Sequence, residues 1–183
     1  LLHFTNTSAH NTKQIKDVKV TDYTMSCVSA GDFNVLHSAG STASRSDFSP
    51  QYTTLGAEPL KMSPKNGRPS DISAYPFFNI ITPDKKGVVV GIGWTGTWFA
   101  DIALKGKQGV NLASGMKTMD LHLYPGETIR TPLVAMLFWQ GEDFMTGNNQ
   151  FRRFILAHHT RKVDDEYAHS PLGGGFDGGD PAA

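Results

Sequence analysis

Apolar and polar positions alternate along this chain in short runs, not in long helical stripes. In Thr118-Met119-Asp120-Leu121-His122-Leu123 every second side chain is apolar, as in a strand with one buried face. Trp98, Ala100, Ile102 and Leu104 alternate in the same way, although the aromatic Phe99 blurs the period. Further strands are expected at Leu1 to Thr5, Lys16 to Tyr23, Phe33 to His37, Pro76 to Ile81, Val88 to Trp94 and Ile129 to Trp139. Thr82-Pro83-Asp84-Lys85-Lys86-Gly87 has the proline and glycine of a hairpin loop, and Tyr124-Pro125-Gly126-Glu127 is a tight reversal. Many short strands between such signals predict a mostly β fold, an antiparallel β-sandwich covering residues 1 to 147. Residues 38 to 73 are rich in Ser, Pro and Gly, carry little periodicity, and read as one long loop.

One helix is expected. Asn148 or Asn149 can cap a segment in which Phe151, Phe154, Ile155 and His158 recur at helical spacing, with Arg161 and Lys162 at its C-terminal end. This connecting helix is placed at 148 to 162, and a linker at 163 to 183. The linker contains the acidic run Asp164-Asp165-Glu166 and the glycine-rich stretch from Pro171 to Ala183.

Gly91, Gly93 and Gly96 are spaced as G-x-G-x-x-G after an apolar run, so a dinucleotide-binding turn has to be considered. That turn must open a helix, whereas the residues after Gly96 alternate and Gly106 and Gly109 interrupt any helical stretch. The glycines are read instead as serving turns and close backbone approach.

The 183 residues suit one domain with a real core. Lys plus Arg and Asp plus Glu both number 17, which leaves no charged field to recruit nucleic acid or an anionic membrane. Leu133 to Trp139 is far shorter than the about 20 residues of a membrane span. The single cysteine, Cys27, excludes an intrachain disulfide or a cysteine zinc cluster and is compatible with cytoplasm and periplasm alike. The opening Leu1-Leu2-His3-Phe4 reads as the middle of a strand, so further sequence is expected upstream.

No arrangement marks catalysis. Asp47, Glu127, Glu142 and Asp143 form no recognisable carboxylate pair, Gly40-Ser41-Thr42-Ala43-Ser44 lacks a nucleophile elbow, and His158-His159 point to different helix faces. No cofactor and no metal are expected. Trp94 and Trp98 flank Thr95-Gly96-Thr97: they are either two indoles at one hairpin tip, forming a platform for a sugar ring, or core filling. Arg45, Asp47 and Phe48 in the long loop could hydrogen-bond and stack on a sugar, or form a local turn ion pair.

Together Phe4-Thr5-Asn6-Thr7, Ser46-Asp47-Phe48-Ser49-Pro50, Asn66-Gly67-Arg68-Pro69-Ser70, Pro76-Phe77-Phe78-Asn79-Ile80, Gly93-Trp94-Thr95-Gly96-Thr97-Trp98, Leu123-Tyr124-Pro125-Gly126-Glu127, Arg130-Thr131-Pro132 and Asn149-Gln150-Phe151-Arg152-Arg153-Phe154 resemble the N-terminal domain of melibiase-type α-galactosidases, glycoside hydrolase family 36. The resemblance is ordered and spans roughly residues 1 to 160. It implies a β-supersandwich ahead of a TIM-like barrel that holds the catalytic aspartates. The chain alone would then be inactive and would shape a pocket for an α-galactoside or related oligosaccharide. Its partners would be the barrel of the same protein and other copies of the chain. In similar enzymes sandwich loops reach the galactose site, and Arg45-Ser46-Asp47-Phe48 matches such a loop, with Asp47 expected on sugar hydroxyls. The other readings are a free-standing carbohydrate-binding module built on Trp94 and Trp98, and a structural sandwich that assembles through an apolar edge.

Overall fold

The computed structural model describes residues 1–41, 43–164 and 166–168. Its strands in chain order are β1 (His3–Thr5), β2 (Ile15–Lys16), β3 (Lys19–Ser26), β4 (Asn34–Ser38), β5 (Pro50–Thr54), β6 (Leu60–Met62), β7 (Phe77–Ile81), β8 (Lys86–Gly93), β9 (Trp98–Leu104), β10 (Gly109–Met116), β11 (Asp120–Leu121), β12 (Thr128–Arg130) and β13 (Leu133–Gln140). Helix α1 (Met145–His158) follows, then β14 (Lys162–Val163) and β15 (Glu166–Tyr167). The chain divides into two compact units, Leu1–Phe151 and the residues from Arg152 onward.

In the first unit, two antiparallel sheets make a sandwich, one of five strands in the order β13-β8-β7-β4-β5 and one of four in the order β3-β10-β9-β6. Strand alternation decides what lies between them. Val35, Phe78, Ile80, Val88, Val90 and Ile92 come from the larger sheet, and Met62, Trp98, Ala100, Ile102, Val110 and Leu112 from the smaller one, all in one buried cluster. Short pairs β1 with β12 and β2 with β11 stand beside these sheets. The buried Asn6 amide donates to the carbonyls of His10 and Leu123 at 2.7 and 2.9 Å, tying that region together.

The continuous apolar character of β8 has a direct cause: both of its faces are covered. Val88, Val90 and Ile92 face the core, while Val89 and Gly91 face the first half of α1. A Cβ on Gly91 would come within 2.8 Å of the Phe151 ring and 3.1 Å of Phe77. The glycine pattern therefore seats aromatic rings on the sheet. The expected hairpin between β7 and β8 is present, pairing Ile81 with Gly87, with Lys85 at φ 58° in its turn. The reversal at Tyr124 to Glu127 is also present, with Gly126 at φ 77° and Glu127 N–H bonded to Tyr124 O at 3.0 Å.

Several expectations need correction, among them the run Ile129 to Trp139, which is two strands, β12 and β13, in different sheets. The run Lys16 to Tyr23 is split into β2 and β3 at Asp17, whose φ of 53° no strand accommodates. Residues 38 to 73 are not one loop but hold β5 and β6, both edge strands: β5 is mostly polar and exposed, and β6 is only three residues long, with Met62 turned into the core. β10 has no alternating apolar signature, since Gly109, Asn111, Ser114 and Gly115 are small or polar. At Gly115 the register shifts, leaving Val20 of β3 unpaired as a bulge, and a Cβ on Gly115 would lie 2.2 Å from Val18 O. Finally, α1 begins at Met145, because Asp143 caps it through Met145 N–H (2.9 Å) and Thr146 N–H (3.0 Å). Gly147, read as preceding the helix, lies inside it, with no room for a Cβ beside Trp139 (2.3 Å).

Within the second unit, Phe154 packs on His158 and His159 at centroid distances of 5.1 and 5.4 Å. Lys162 and Glu166 belong to the β14–β15 hairpin, with Lys162 Nζ over the Tyr167 ring at 5.2 Å, instead of ending a helix or opening a linker. The glycine-rich stretch from Pro171 to Ala183 and Asp165 lie outside the described residues. Among the described residues no helix is long and apolar enough to cross a membrane.

A pH dependence follows from β4. His37 Nε2 lies 2.9 Å from Thr53 Oγ1, and burial holds the imidazole below its ordinary 6.5. The folded chain therefore takes up this proton at lower pH than the unfolded chain. The stability contributed is complete above the unfolded value and declines as pH falls through the folded one. The expected outcome is a urea midpoint that drops between about pH 7 and pH 5, with a smaller drop in His37→Gln. Equal drops would exclude His37 as the cause.

Candidate functional site

Between β4 and β5 the chain leaves the larger sheet as a tight excursion. The Asp47 carboxylate accepts from the hydroxyls of Ser41 and Ser44, the latter at 3.3 Å, and Asp47 N–H donates to Ser44 O at 3.1 Å. Serine hydroxyls on a carboxylate thus close this turn. Ala43 (φ 61°) and Phe48 (φ 55°) are in the left-handed region, which costs a side-chain-bearing residue about 1 to 3 kcal/mol and persists where the surroundings over-determine it.

What over-determines Phe48 is an aromatic row. Its ring meets Tyr75 edge-on at 5.2 Å, Tyr75 meets Phe77 at 5.3 Å, and Phe77 meets Phe151 at 5.8 Å. Beside this row, Tyr52 of β5 lies 6.2 Å from Phe144 ahead of α1. The row grades from buried Phe151 to half-exposed Phe48 (50%) and Tyr52 (56%). The result is a surface of ring faces, and the turn that carries Phe48 also carries Asp47 and the exposed Arg45. Such a set can stack on the C–H face of a pyranose and hydrogen-bond its hydroxyls. Phe48 was legible in the sequence. Tyr52, Tyr75 and Phe77 were not, because the row is assembled from segments far apart in the chain and no local pattern links them.

The loop from Ser63 to Tyr75 carries the row's second ring and is anchored by Asp71. This carboxylate accepts N–H bonds from Lys65 at 2.6 Å and Ser73 at 2.8 Å. Its burial pushes the acid up, but those donors together with the backbone of Asn66 and Ala74 outweigh this and hold it below the usual carboxylate value. Asp71 O in turn accepts from Gly40 N–H at 2.7 Å, and Tyr75 N–H donates to Ser38 O at 3.0 Å, so the two loops rise from one joint.

Trp94 and Trp98 do not form a paired platform. β8 and β9 belong to different sheets, so Thr95-Gly96-Thr97 crosses the sandwich and is not a hairpin tip. Trp98 is fully buried, with its Nε1–H donating to Pro69 O at 2.7 Å. Trp94 is half-buried, and the Arg130 guanidinium lies 5.6 Å over its ring. Among the described residues no group of three or more His, Cys, Asp or Glu is arranged to hold a metal.

No family model and no curated protein matches the chain. Solved structures do. The α-galactosidase of Lactobacillus brevis aligns over 85% of this chain and 20% of its own, with a TM-score of 0.64 at 15% identity. The family 36 α-galactosidase AgaA of Geobacillus stearothermophilus aligns over 75% of this chain and 19% of its own, with a TM-score of 0.58 at 17% identity. The galactosidase domain of an α-galactosidase–sucrose kinase gives 0.59 at 19% identity over 75% of this chain and 19% of its own. The sandwich has the fold of one segment of these glycoside hydrolases. The chain spans about a fifth of the length of each.

Proposed function

We propose that this sandwich is a non-catalytic domain of a larger, α-galactosidase-like retaining glycoside hydrolase, and that its turn at residues 43 to 48 helps shape the sugar pocket. The observation that carries this is the match of three quarters or more of this chain to only 19–20% of the α-galactosidase chains. One of those neighbours, a Geobacillus enzyme, was solved in complex with stachyose, an α-galactoside. In the proposed whole enzyme one carboxylate attacks the anomeric carbon, an acid protonates the leaving oxygen, and water resolves the glycosyl-enzyme. Our assignment to the present chain is binding, with Asp47 on hydroxyls and Phe48 against the ring, and with Arg45 beside them. Trp94 and Trp98 we assign to support of the scaffold.

Two experiments test this. Reading the coding sequence on both sides of Leu1 and Ala183 should reveal one open frame that continues into a barrel domain. Stop codons flanking this chain would overturn the proposal. In the enzyme so obtained, Asp47→Ala should raise KM for an α-galactoside about tenfold while kcat changes less, the pattern of lost uniform binding. An unchanged KM would remove the turn from the pocket.

A further inference from the structure

The outer face of the four-stranded sheet carries a groove of about 890 Å³ that the assignment above does not use. Its walls come from β9, β6 and the loop after it, the end of β10 and the break between β2 and β3. Phe99 and Asp101 point outward from β9 because Trp98, Ala100 and Ile102 between them fill the core. Lys61 of β6 stands opposite Asp101 in the register of the sheet. Lys117 follows β10, its N–H bonded to Thr97 O at 3.2 Å, and Asp17 sits at the left-handed break between β2 and β3. Lys65 completes the wall, its backbone fixed by Asp71.

These five charged side chains are uncommitted. Elsewhere on the surface Lys16, Lys19, Lys85 and Lys86 each pair with a carboxylate. Among the described residues, Lys61, Lys65, Lys117, Asp17 and Asp101 make no side-chain ion pair or hydrogen bond with one another, although they line one concavity. The charges of three ammonium groups and two carboxylates nearly cancel. An anion entering the groove would meet Asp17 and Asp101, and a cation would meet the lysines. A hydroxyl both donates and accepts, so it suits both kinds of wall, while the Phe99 ring offers a face for C–H groups. The volume falls within the range of ligand clefts.

We propose that this groove is a second carbohydrate site, separate from the turn at residues 43 to 48 and taking a neutral oligosaccharide. The test is amide-resolved NMR of the 183-residue chain, titrated with raffinose, maltotriose and cellotriose and, separately, with a heparin-derived oligosaccharide. The expected result is a saturable, millimolar shift of the Lys61, Phe99, Asp101 and Lys117 amides with at least one neutral sugar. Asp101→Ala and Lys61→Ala should each weaken it about tenfold, as for a lost charge-assisted hydrogen bond. Both positions face outward, so the variants should keep the dispersed spectrum of the parent. Phe48→Ala should leave these shifts intact, which separates this site from the pocket proposed above. The proposal is overturned if those amides are silent to all three neutral sugars, or if only the sulfated oligosaccharide moves them.

Discussion

Trp98→Ala is expected to lower the unfolding free energy by about 3 to 5 kcal/mol, the range for deleting a buried large aromatic. The indole is 0% exposed in the middle of the sandwich, among side chains from both sheets. Its removal does more than leave a cavity. Pro69 O loses the 2.7 Å bond from Trp98 Nε1, and the segment leading to Asp71 and Tyr75 loses a tie to β9. A second side-chain tie at this point, Ser63 Oγ to Trp98 O at 2.8 Å, uses the backbone and would survive. Trp94→Ala is the matched control: a half-buried ring under Arg130 should cost roughly 1 kcal/mol from its cation–π contact plus a modest loss of packing. Urea unfolding followed by far-UV circular dichroism separates the two. A Trp98→Ala midpoint equal to the parent's would mean that the ring is not in the core.

Asn79→Ala is expected to cost about 2 to 4 kcal/mol through unsatisfied buried groups, not through lost volume. Asn79 is 1% exposed on the outer face of β7. Its Oδ1 accepts from Trp139 Nε1 at 2.8 Å, while its Nδ2 donates to Phe144 O at 3.3 Å and Asn148 Oδ1 at 3.1 Å. One amide thus joins β13, β7 and the start of α1. In alanine the indole N–H would stay buried without an acceptor, since Gly147 packs directly on the Trp139 ring. Asn79→Asp gives a second, signed result. It keeps an acceptor for Trp139 but faces two oxygens with a carboxylate that burial disfavours. Its folded pKa rises above the unfolded value, so the variant should gain stability as pH falls from about 8 to about 5. Trp139 emission and hydrogen exchange at the amides of Met145 to Phe151 report the same loosening locally. A variant with unchanged exchange there would show that Asn79 does not hold the helix.

How much of this was legible in the sequence depends on whether a local pattern carried it. Alternation in Trp98 to Leu104, the apolar run of β8, and the turn chemistry of Thr82 to Gly87 and of Tyr124 to Glu127 identified an antiparallel sandwich, because each is a property of consecutive residues. The ordered resemblance to family 36 α-galactosidases pointed to the same fold, which comparison with solved structures bears out. β10 and β5 escaped for opposite reasons. The first is so closely packed that small residues replace the apolar signature, and the second lies at an edge where polar side chains suffice.

By itself the sequence determined fold class and the two turns. Which sheet each strand joins was settled only by tertiary packing, since strand pairing links residues far apart in the chain. That choice sent Trp98 into the core instead of to a hairpin tip and drew Tyr75 and Phe77 beside Phe48. It also placed Asp101 across from Lys61. Side chains alternate locally, but which neighbours they meet is decided by the closure of two sheets around a shared interior.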